Sequence, residues 1–436
     1  MSPPLSTKRL LGILAGAVVA AAFLGPGTVT TAARAGSAHG PRLLWALLFA
    51  TVACWVLQDA AARLALASGH PLGEALRRRF RSGASAVAVL WLVVGAVVVG
   101  CAAYEAGNIL GGVAGAQLAL PASKTVLTLV SGGAALALLW FGSTGAVVGV
   151  LGMLVAVMGL GFLATAVGLV PAPAEVARGL LVPSVPEGGA LLVLGLVGTT
   201  VVPYNLFLGS GLARGQDPGE ARLGLAVAIG LGGLISMAVV VVGGAVVGDF
   251  SFGAVAEVLG NRLGGWAVGA FGLGLFAAGF SSAVTAPLAA AITARGLFAA
   301  GIDDPRWHAR GWRFRAVWLG VLGAGVAFGL LDVRPVPVIL LAQALNGILL
   351  PVVAVFLMVV VNDRRLMGGD VNGPAANLLM GLVVAVTTAL GARGVLRAAA
   401  STFDRPALAS AQTLWLATAA ALLVLGVWLV RELRGR

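Results

Sequence analysis

The sequence predicts an all-α integral membrane protein with about twelve transmembrane helices, because of its composition and its apolar runs. Of its 436 residues, 59% are hydrophobic and only 10% are charged, and the mean hydropathy is +1.02. A soluble chain has about a quarter charged residues, and a surface with so few charges would not stay in water. This composition excludes a cytosolic enzyme, a secreted scaffold and a nucleic-acid-binding module.

The apolar runs predict the individual helices. A helix that crosses the bilayer needs about 20 apolar residues, since the hydrocarbon layer is about 30 Å thick. No charged residue lies between Lys124 and Glu175. That stretch is too long for one span, and the turn-forming segment 141–145 divides it. The predicted spans are 10–33, 43–67, 86–118, 125–141, 145–170, 189–213, 223–247, 265–298, 316–331, 335–361, 375–391 and 409–430.

The basic residues indicate the orientation. Lys and Arg number 28 against 16 Asp and Glu, which gives a net charge of +12. Cytoplasmic loops of membrane proteins collect Lys and Arg, and with the N-terminus inside most of these residues fall on the inner face. An even number of spans then predicts a multi-pass cell-membrane protein with both termini in the cytoplasm. The basic run 77–81 is interpreted as a topology signal that contacts anionic lipid.

Few residues are available for metal binding or covalent catalysis. Cys54 and Cys101 lie inside apolar runs, so neither a disulfide framework nor a thiolate metal cage is expected. His39, His70 and His308 are too scattered to form a metal cluster. No phosphate-binding loop or protease motif occurs, so we expect no enzyme activity and no cofactor. The expected partners are an ion or small-molecule substrate and membrane lipids, not nucleic acid, and the chain is expected to be a monomer.

Two predicted spans are interrupted by polar segments that contain proline. The first span includes Gly-Pro-Gly-Thr at 25–28, and the sixth includes Gly-Thr-Thr-Val-Val-Pro-Tyr-Asn at 198–205. An unwound backbone survives at membrane depth only where protein or a water-filled cavity shields it. Interruptions in the first and sixth spans are typical of inverted-repeat transporters, which bind their substrate between the broken helices.

This layout predicts the domain organisation and the binding site. We expect one transmembrane domain over 1–436, with a first repeat at 1–170, a second repeat at 189–361 and two additional helices within 375–430. Half-helix ends and unwound carbonyls supply partial charges near the midplane. The expected substrate-binding residues are Gly25, Thr28, Thr199, Thr200, Val202, Tyr204, Asn205 and Gln343.

Several segments, in the same order along the chain, carry a resemblance to a known family. Residues 43–75 resemble the second helix of that family, 279–285 are similar to its eighth helix, and 341–368 resemble its tenth helix and the following loop. The sequence therefore resembles the Nramp (natural resistance-associated macrophage protein) family of metal transporters over most of its length. The resemblance implies the leucine-transporter-type fold, a 5+5 inverted repeat with broken helices 1 and 6, and proton-linked uptake of divalent metal.

The motifs that carry the metal chemistry of this family differ here. The family pattern in the first helix is Asp-Pro-Gly-Asn, and residues 25–28 lack both its carboxylate and its amide. The pattern in the sixth helix is Met-Pro-His, whereas Val-Pro-Tyr stands at 202–204. Burying a charge without compensation costs tens of kcal/mol by idealised estimates, and divalent sites normally use a carboxylate. Manganese or iron bound in the usual manner is therefore not expected, and the chain resembles a divergent member.

Three functions remain open from the sequence. The first is a secondary transporter of a divalent cation, for which a magnesium ion that keeps its waters is less excluded than manganese or iron. The second is a proton- or cation-coupled transporter of a small polar organic solute through a neutral site. The third is a channel, or a substrate sensor that no longer transports.

One acidic residue lies in the middle of the third predicted span. Glu105 and Asn108 are three positions apart and share a helix face. Intramembrane acids usually mark ion or proton paths, and the resemblance implies two acids at this spacing for the proton route. Glu105 is then the proton-coupling carboxylate, with Asn108 in place of the second acid. The structural alternative is a protonated Glu105 that hydrogen-bonds to Asn108 or to a backbone carbonyl.

Other polar residues within the spans have simpler interpretations. Asp59 is expected to form a salt bridge with Arg63, four positions further along the helix. Gln343 and Asn346 share a face of the tenth span, and their amides need hydrogen-bond partners at that depth.

Overall fold

The computed structural model describes residues 24–80, 84–142, 145–299, 304–403 and 405–434. These ranges consist of α-helices, two short 3-10 turns (Gly40–Leu43 and Pro406–Ala409) and loops, without a strand. The α-helices are α1 (Pro26–His39), α2 (Leu44–Ser68), α3 (Leu72–Arg79), α4 (Ala84–Ala119), α5 (Lys124–Phe141), α6 (Gly145–Val167), α7 (Pro173–Leu181), α8 (Ala190–Thr200), α9 (Pro203–Ala213), α10 (Pro218–Gly243), α11 (Phe252–Leu263), α12 (Trp266–Phe298), α13 (Trp312–Leu330), α14 (Pro335–Val361), α15 (Arg364–Met367), α16 (Pro374–Thr402) and α17 (Ala411–Arg434).

The all-α membrane architecture is confirmed, with 11 candidate membrane spans in the described ranges. One of them, Pro26–Ser68, contains α1 and α2 and so covers parts of the first two predicted spans. Residues 10–23, the beginning of the first predicted span, lie outside the described residues. The predicted turn at 141–145 is also confirmed, because Gly142 ends α5 in the left-handed conformation with φ of 75°.

Several predicted boundaries differ from the helix bounds, and two of the differences accompany a specific contact. Helix α10 begins at Pro218 rather than at 223, since the Asp217 carboxylate accepts two backbone N–H hydrogen bonds in the first turn. Helix α16 continues well beyond 391. In the part of α16 beyond 391, the Arg393 guanidinium lies 4.4 Å from the centre of the Trp415 ring of α17. This cation–π contact stabilises the charge against the neighbouring helix.

The interrupted sixth span lies at the centre of the helix bundle. In an 18-residue stretch of Ala190–Ala213, the segment that comprises α8 and α9, 83% of the residues are buried within the protein, against 11% in such a stretch of the last helix, Ala411–Glu432. Helix α8 packs mainly against α14, and the long helix α4 packs against α12, α13 and α14. The bundle therefore shields the unwound backbone from lipid, and α17 lies at its periphery.

Gly198 on α8 permits the close approach of α14. A Cβ at this position would overlap the backbone carbonyl of Gln343 and the backbone nitrogen of Gly347. Because backbone atoms cannot rotate away as a flexible side chain can, we expect Gly198→Ala to lower the free energy of unfolding by about 1–3 kcal/mol. The Tm of the detergent-solubilised protein measures this loss. Gly95→Ala is the control, since a Cβ there meets nothing within 4 Å, and equal losses of Tm would contradict the packing argument.

Charged residues at one end of the bundle form an ion-pair cluster. The predicted pair of Asp59 and Arg63 is confirmed, with 3.0 Å between Oδ2 and Nε. Arg222 at the start of α10 also contacts Asp59, at 3.1 Å. The cluster therefore links α2 to α10.

Both cysteine side chains belong to the apolar core. Cys54 on α2 is 2% exposed and Cys101 on α4 is 0% exposed. Neither thiol faces water in this conformation.

Candidate functional site

The sixth span is interrupted where the sequence predicts, and in the first span a helix begins directly after Gly25, at the predicted position. Helix α1 begins at Pro26, and Gly25 before it is extended, with φ of −65° and ψ of 167°. Helix α8 ends at Thr200, and α9 begins at Pro203, after Val201 and Val202 in non-helical conformations. Proline suits the first position of a helix because its missing N–H would have no partner there. The backbone is therefore non-helical at Gly25, before α1, and at 201–202, between α8 and α9.

A hydrogen bond between hydroxyl groups joins the start of α1 to the end of α8. Thr28 Oγ1 on α1 lies 2.9 Å from Thr199 Oγ1 on α8, and both residues are buried. Tyr104 on α4 places its hydroxyl 3.3 Å from the Thr199 carbonyl oxygen and 3.3 Å from the Thr199 hydroxyl. Three hydroxyls and one carbonyl thus form an oxygen cluster between α1, α4 and α8.

An aromatic pair borders the oxygen cluster. The rings of Tyr104 and Tyr204 pack edge to face, with their centroids 5.9 Å apart and an interplanar angle of 88°. Tyr204 lies in the first turn of α9, and Val202 at the break is also buried. This arrangement places an apolar and aromatic wall next to the hydroxyls.

Helix α14 contributes an amide near α1. Gln343 is 1% exposed, and its side-chain amide occupies the space that a Cβ at Gly27 would need. Among the residues that the structure describes, the Gln343 side-chain oxygen has no hydrogen-bond partner. Asn346 on the same face does find partners, since its amide nitrogen donates to the carbonyl of Gly100 at 3.3 Å.

Two of the predicted binding residues stand apart from this cluster. Thr200 donates its hydroxyl to the Leu196 carbonyl of its own helix, at 2.8 Å. Asn205 lies half-buried in the first turn of α9. The structure therefore brings Thr28 and Thr199 together, with Tyr204 adjacent to them through Tyr104, and gives Thr200 and Asn205 no part in the hydroxyl contact.

The residue that sequence reasoning missed is Tyr104. It precedes Glu105 directly, and a tyrosine buried in a membrane helix needs a partner for its hydroxyl. That signal pointed to a polar contact without identifying Thr199, which lies 95 positions away in the sequence.

Glu105 lies on α4 beside this cluster, against α13. It is 0% exposed, its Oε2 accepts a hydrogen bond from the Asn108 amide at 3.3 Å, and its Oε1 has no partner among the described residues. A Cβ at Gly325 of α13 would lie 2.5 Å from the Glu105 Cγ. One turn of α4 therefore contributes a hydroxyl to the oxygen cluster and a carboxyl group next to α13.

The donor set of the oxygen cluster is neutral and contains only oxygen. No group of three or more His, Cys, Asp or Glu residues that could hold a metal ion occurs within the described part of the chain. Hydroxyl and carbonyl oxygens suit hard cations, whereas soft transition metals prefer sulfur and imidazole. The geometry therefore favours a weakly held hard ion over a transition metal.

The chain is similar in sequence to known transport proteins. The family model described as "Natural resistance-associated macrophage protein-like" matches residues 16–397. The divalent metal cation transporter MntH of Verminephrobacter eiseniae is 32% identical over 381 residues, which cover 81% of this chain and 82% of that protein. MntH of Yersinia enterocolitica is 27% identical over 411 residues, covering 90% of this chain and 96% of that protein.

Solved structures share the fold. The manganese transporter of Eremococcus coleocola superposes with a TM-score of 0.74 at 19% identity, covering 100% of this chain and 97% of that chain. A nucleobase-cation-symport-1 family transporter superposes with a TM-score of 0.53 at 16% identity, covering 99% and 96%. Transporters of two different families thus have the same helix arrangement, and this confirms the leucine-transporter-type fold.

Proposed function

The chain belongs to the Nramp family of metal-ion transporters, and from this premise we propose that its cargo is a hard divalent cation, such as magnesium, that keeps part of its hydration shell. The contact between the Thr28 and Thr199 hydroxyls carries the proposal. It places neutral oxygen donors from both interrupted helices at one point. Gly25 and Val202 stand where the family has a carboxylate and a thioether.

The short distance between the two hydroxyl oxygens favours an ion over an organic solute. The two hydroxyl oxygens are 2.9 Å apart, whereas opposite ligands of an octahedral magnesium ion are about 4 Å apart. A separation of the two helix ends by roughly 1 Å would admit the ion between these oxygens. A polar organic solute would require a much larger displacement of α1 from α8.

The neutral donors favour a cargo that is not fully dehydrated. Removing all water from a divalent ion in a protein interior costs tens of kcal/mol by idealised estimates. Hydroxyl and carbonyl dipoles without a carboxylate do not offset this cost, and magnesium is the common ion that gives up its waters most reluctantly. Retained waters would then provide the remaining ligands.

Uptake into liposomes containing the purified protein tests the cargo. We expect saturable magnesium uptake that equimolar manganese or cadmium inhibits by less than half. Saturation excludes an open channel. Inhibition by manganese at a tenth of the magnesium concentration would contradict the proposal, as would uptake of an amino acid, amine or organic acid without uptake of any metal.

We also propose that Glu105 couples transport to protons, and Glu105→Gln tests this role. Glutamine retains the size of the side chain and a hydrogen bond to Asn108 but cannot titrate. We expect uptake driven by an inward proton gradient to fall at least tenfold, while magnesium affinity measured by calorimetry stays within about twofold of wild type. Glu74→Gln, which changes a carboxylate outside the membrane spans, is the control. A Glu105→Gln protein whose uptake responds to pH as wild type does would leave Glu105 with a structural role only.

The layout of the chain in the membrane forms the last part of this proposal. We propose two inverted repeats at 1–170 and 189–361, both termini in the cytoplasm of a cell-membrane protein, and a functional monomer. The equivalent positions of the two interruptions in these repeats support the first point, and the distribution of basic residues supports the second. Protease protection of terminal tags in oriented vesicles measures the orientation.

A further inference from the structure

Several arginines of the basic run 77–81 pair with carboxylates of the protein. The Arg79 side chain is 5% exposed and pairs with Asp363 at 3.1 Å and with Glu432 of α17 at 2.5 Å. Arg78 pairs with Glu74 at 3.0 Å. Arg77 also lies 4.0 Å from Glu74, so three arginines of the run 77–81 are engaged by carboxylates.

A second group of arginines lies where α5, α12 and α13 meet at one end of the bundle. Helix α5 ends at Phe141, α12 ends at Phe298, and α13 begins at Trp312. Each guanidinium of this group stacks on an aromatic ring: Arg295 on Phe314 at 5.4 Å, Arg313 on Trp312 at 5.4 Å, and Arg315 on Trp140 at 4.0 Å.

These three arginines lack a carboxylate partner in the described chain. None of the ion pairs formed among the described residues includes Arg295, Arg313 or Arg315. The neighbouring Asp304 pairs instead with Arg306, at 3.1 Å. Within the described residues these three positive charges therefore have no carboxylate partner, and the rings beneath them hold them in position.

Large exposed rings surround these charges. Trp140 is 45% exposed, Phe141 is 81% exposed and Trp312 is 66% exposed. Tryptophan at the end of a membrane span typically lies at the depth of the lipid headgroups. Guanidinium groups at the same depth face phosphate, which they bind through two parallel N–H···O hydrogen bonds.

We propose that Arg295, Arg313 and Arg315, together with Trp140, Phe141 and Trp312, form a binding site for the headgroup of an anionic phospholipid. The guanidiniums bind the phosphate, and the exposed rings contact the glycerol and upper acyl region. Charge complementarity selects an anionic lipid, and the rings distinguish a lipid from free phosphate. In the proposed orientation this lipid belongs to the cytoplasmic leaflet, but the binding site itself does not depend on the cargo.

Native mass spectrometry of the detergent-solubilised protein, titrated with dioleoyl phosphatidylglycerol, tests this site. We expect retention of phosphatidylglycerol well above that of dioleoyl phosphatidylcholine, and no retention of inorganic phosphate at the same concentration. Replacing one of the three arginines by glutamine should weaken the binding about fivefold, and the triple variant about a hundredfold. Arg315→Lys retains the charge but loses the planar stack, so we expect an intermediate loss.

Arg34→Gln is the matched control, because Arg34 also stacks on a ring, that of Phe250 at 5.9 Å, outside the proposed site. It should bind phosphatidylglycerol as wild type does. Equal retention of the two lipids, equal binding by the triple variant, or the same loss in Arg34→Gln would overturn the proposal. The Tm of each variant without lipid verifies folding, and because the readout is lipid retention, failure here is distinguishable from failure of the proposed cargo.

Discussion

Gly25→Asp is expected to convert the neutral site into one that binds manganese and cadmium. Gly25 is the residue before the first turn of α1, and among the described residues a Cβ there would meet only the Ser282 hydroxyl, at 3.6 Å, an ordinary van der Waals distance. Aspartate is a preferred residue at this helix position, and the positive end of the helix dipole favours its charge. The substitution is therefore compatible with the fold while it adds the missing carboxylate.

We expect the manganese affinity of Gly25→Asp to rise at least tenfold over wild type, which is about 1.4 kcal/mol. Isothermal titration calorimetry of the purified protein measures the change. Gly25→Asn is the matched control, because it has nearly the same size without the charge. If the asparagine variant gained as much affinity as the aspartate variant, or if neither gained any, the break at Gly25 would not face the cargo.

Removal of the paired hydroxyls is expected to abolish uptake. Thr28→Val and Thr199→Val retain the shape of the side chain and delete one of the two oxygens that face each other across the interruption. Each substitution also places a methyl group against the remaining hydroxyl, which loses this buried hydrogen bond. We expect a reduction of at least tenfold in magnesium uptake for each single variant, measured in liposomes.

Thr293→Val is the control for these two substitutions. Thr293 is equally buried, but its hydroxyl donates to the Ala289 carbonyl of its own helix, at 2.8 Å. Wild-type uptake in this control, together with loss in Thr28→Val and Thr199→Val, would locate the cargo at the oxygen cluster. Wild-type uptake in Thr199→Val would show that the Thr199 hydroxyl does not bind the cargo.

The helix starts at Pro26 and Pro203 were predictable from local chemistry, whereas the contact between α1 and α8 was not. Proline at 26 and 203 removes a backbone donor and favours the first position of a helix, so each new helix begins where the sequence places a proline. The hydrogen bond between Thr28 and Thr199 joins residues 171 positions apart. It depends on how α1 packs against α8, which no local pattern specifies.

The pairing of the arginines was likewise not predictable from local sequence. A run of like charges predicts a surface exposed to solvent or lipid, yet Arg79 is buried because Glu432, 353 positions away, lies beside it. The more dispersed Arg295, Arg313 and Arg315 remain without acidic partners in the described chain. Local composition identified where positive charge is concentrated, and tertiary packing decided which of these charges stays uncompensated.

The burial of Cys54 and Cys101 has a practical consequence for following the transport cycle. Water-soluble maleimide or methanethiosulfonate reagents have no reactive native thiol at the surface of this conformation, since these are the only two cysteines in the chain. A single reporter cysteine placed along the entrance or exit route can therefore be labelled in the otherwise natural protein. If the reporter cysteine can be modified first from one side of the membrane and then from the other, alternating access is shown. The two native cysteines need not be removed for this experiment.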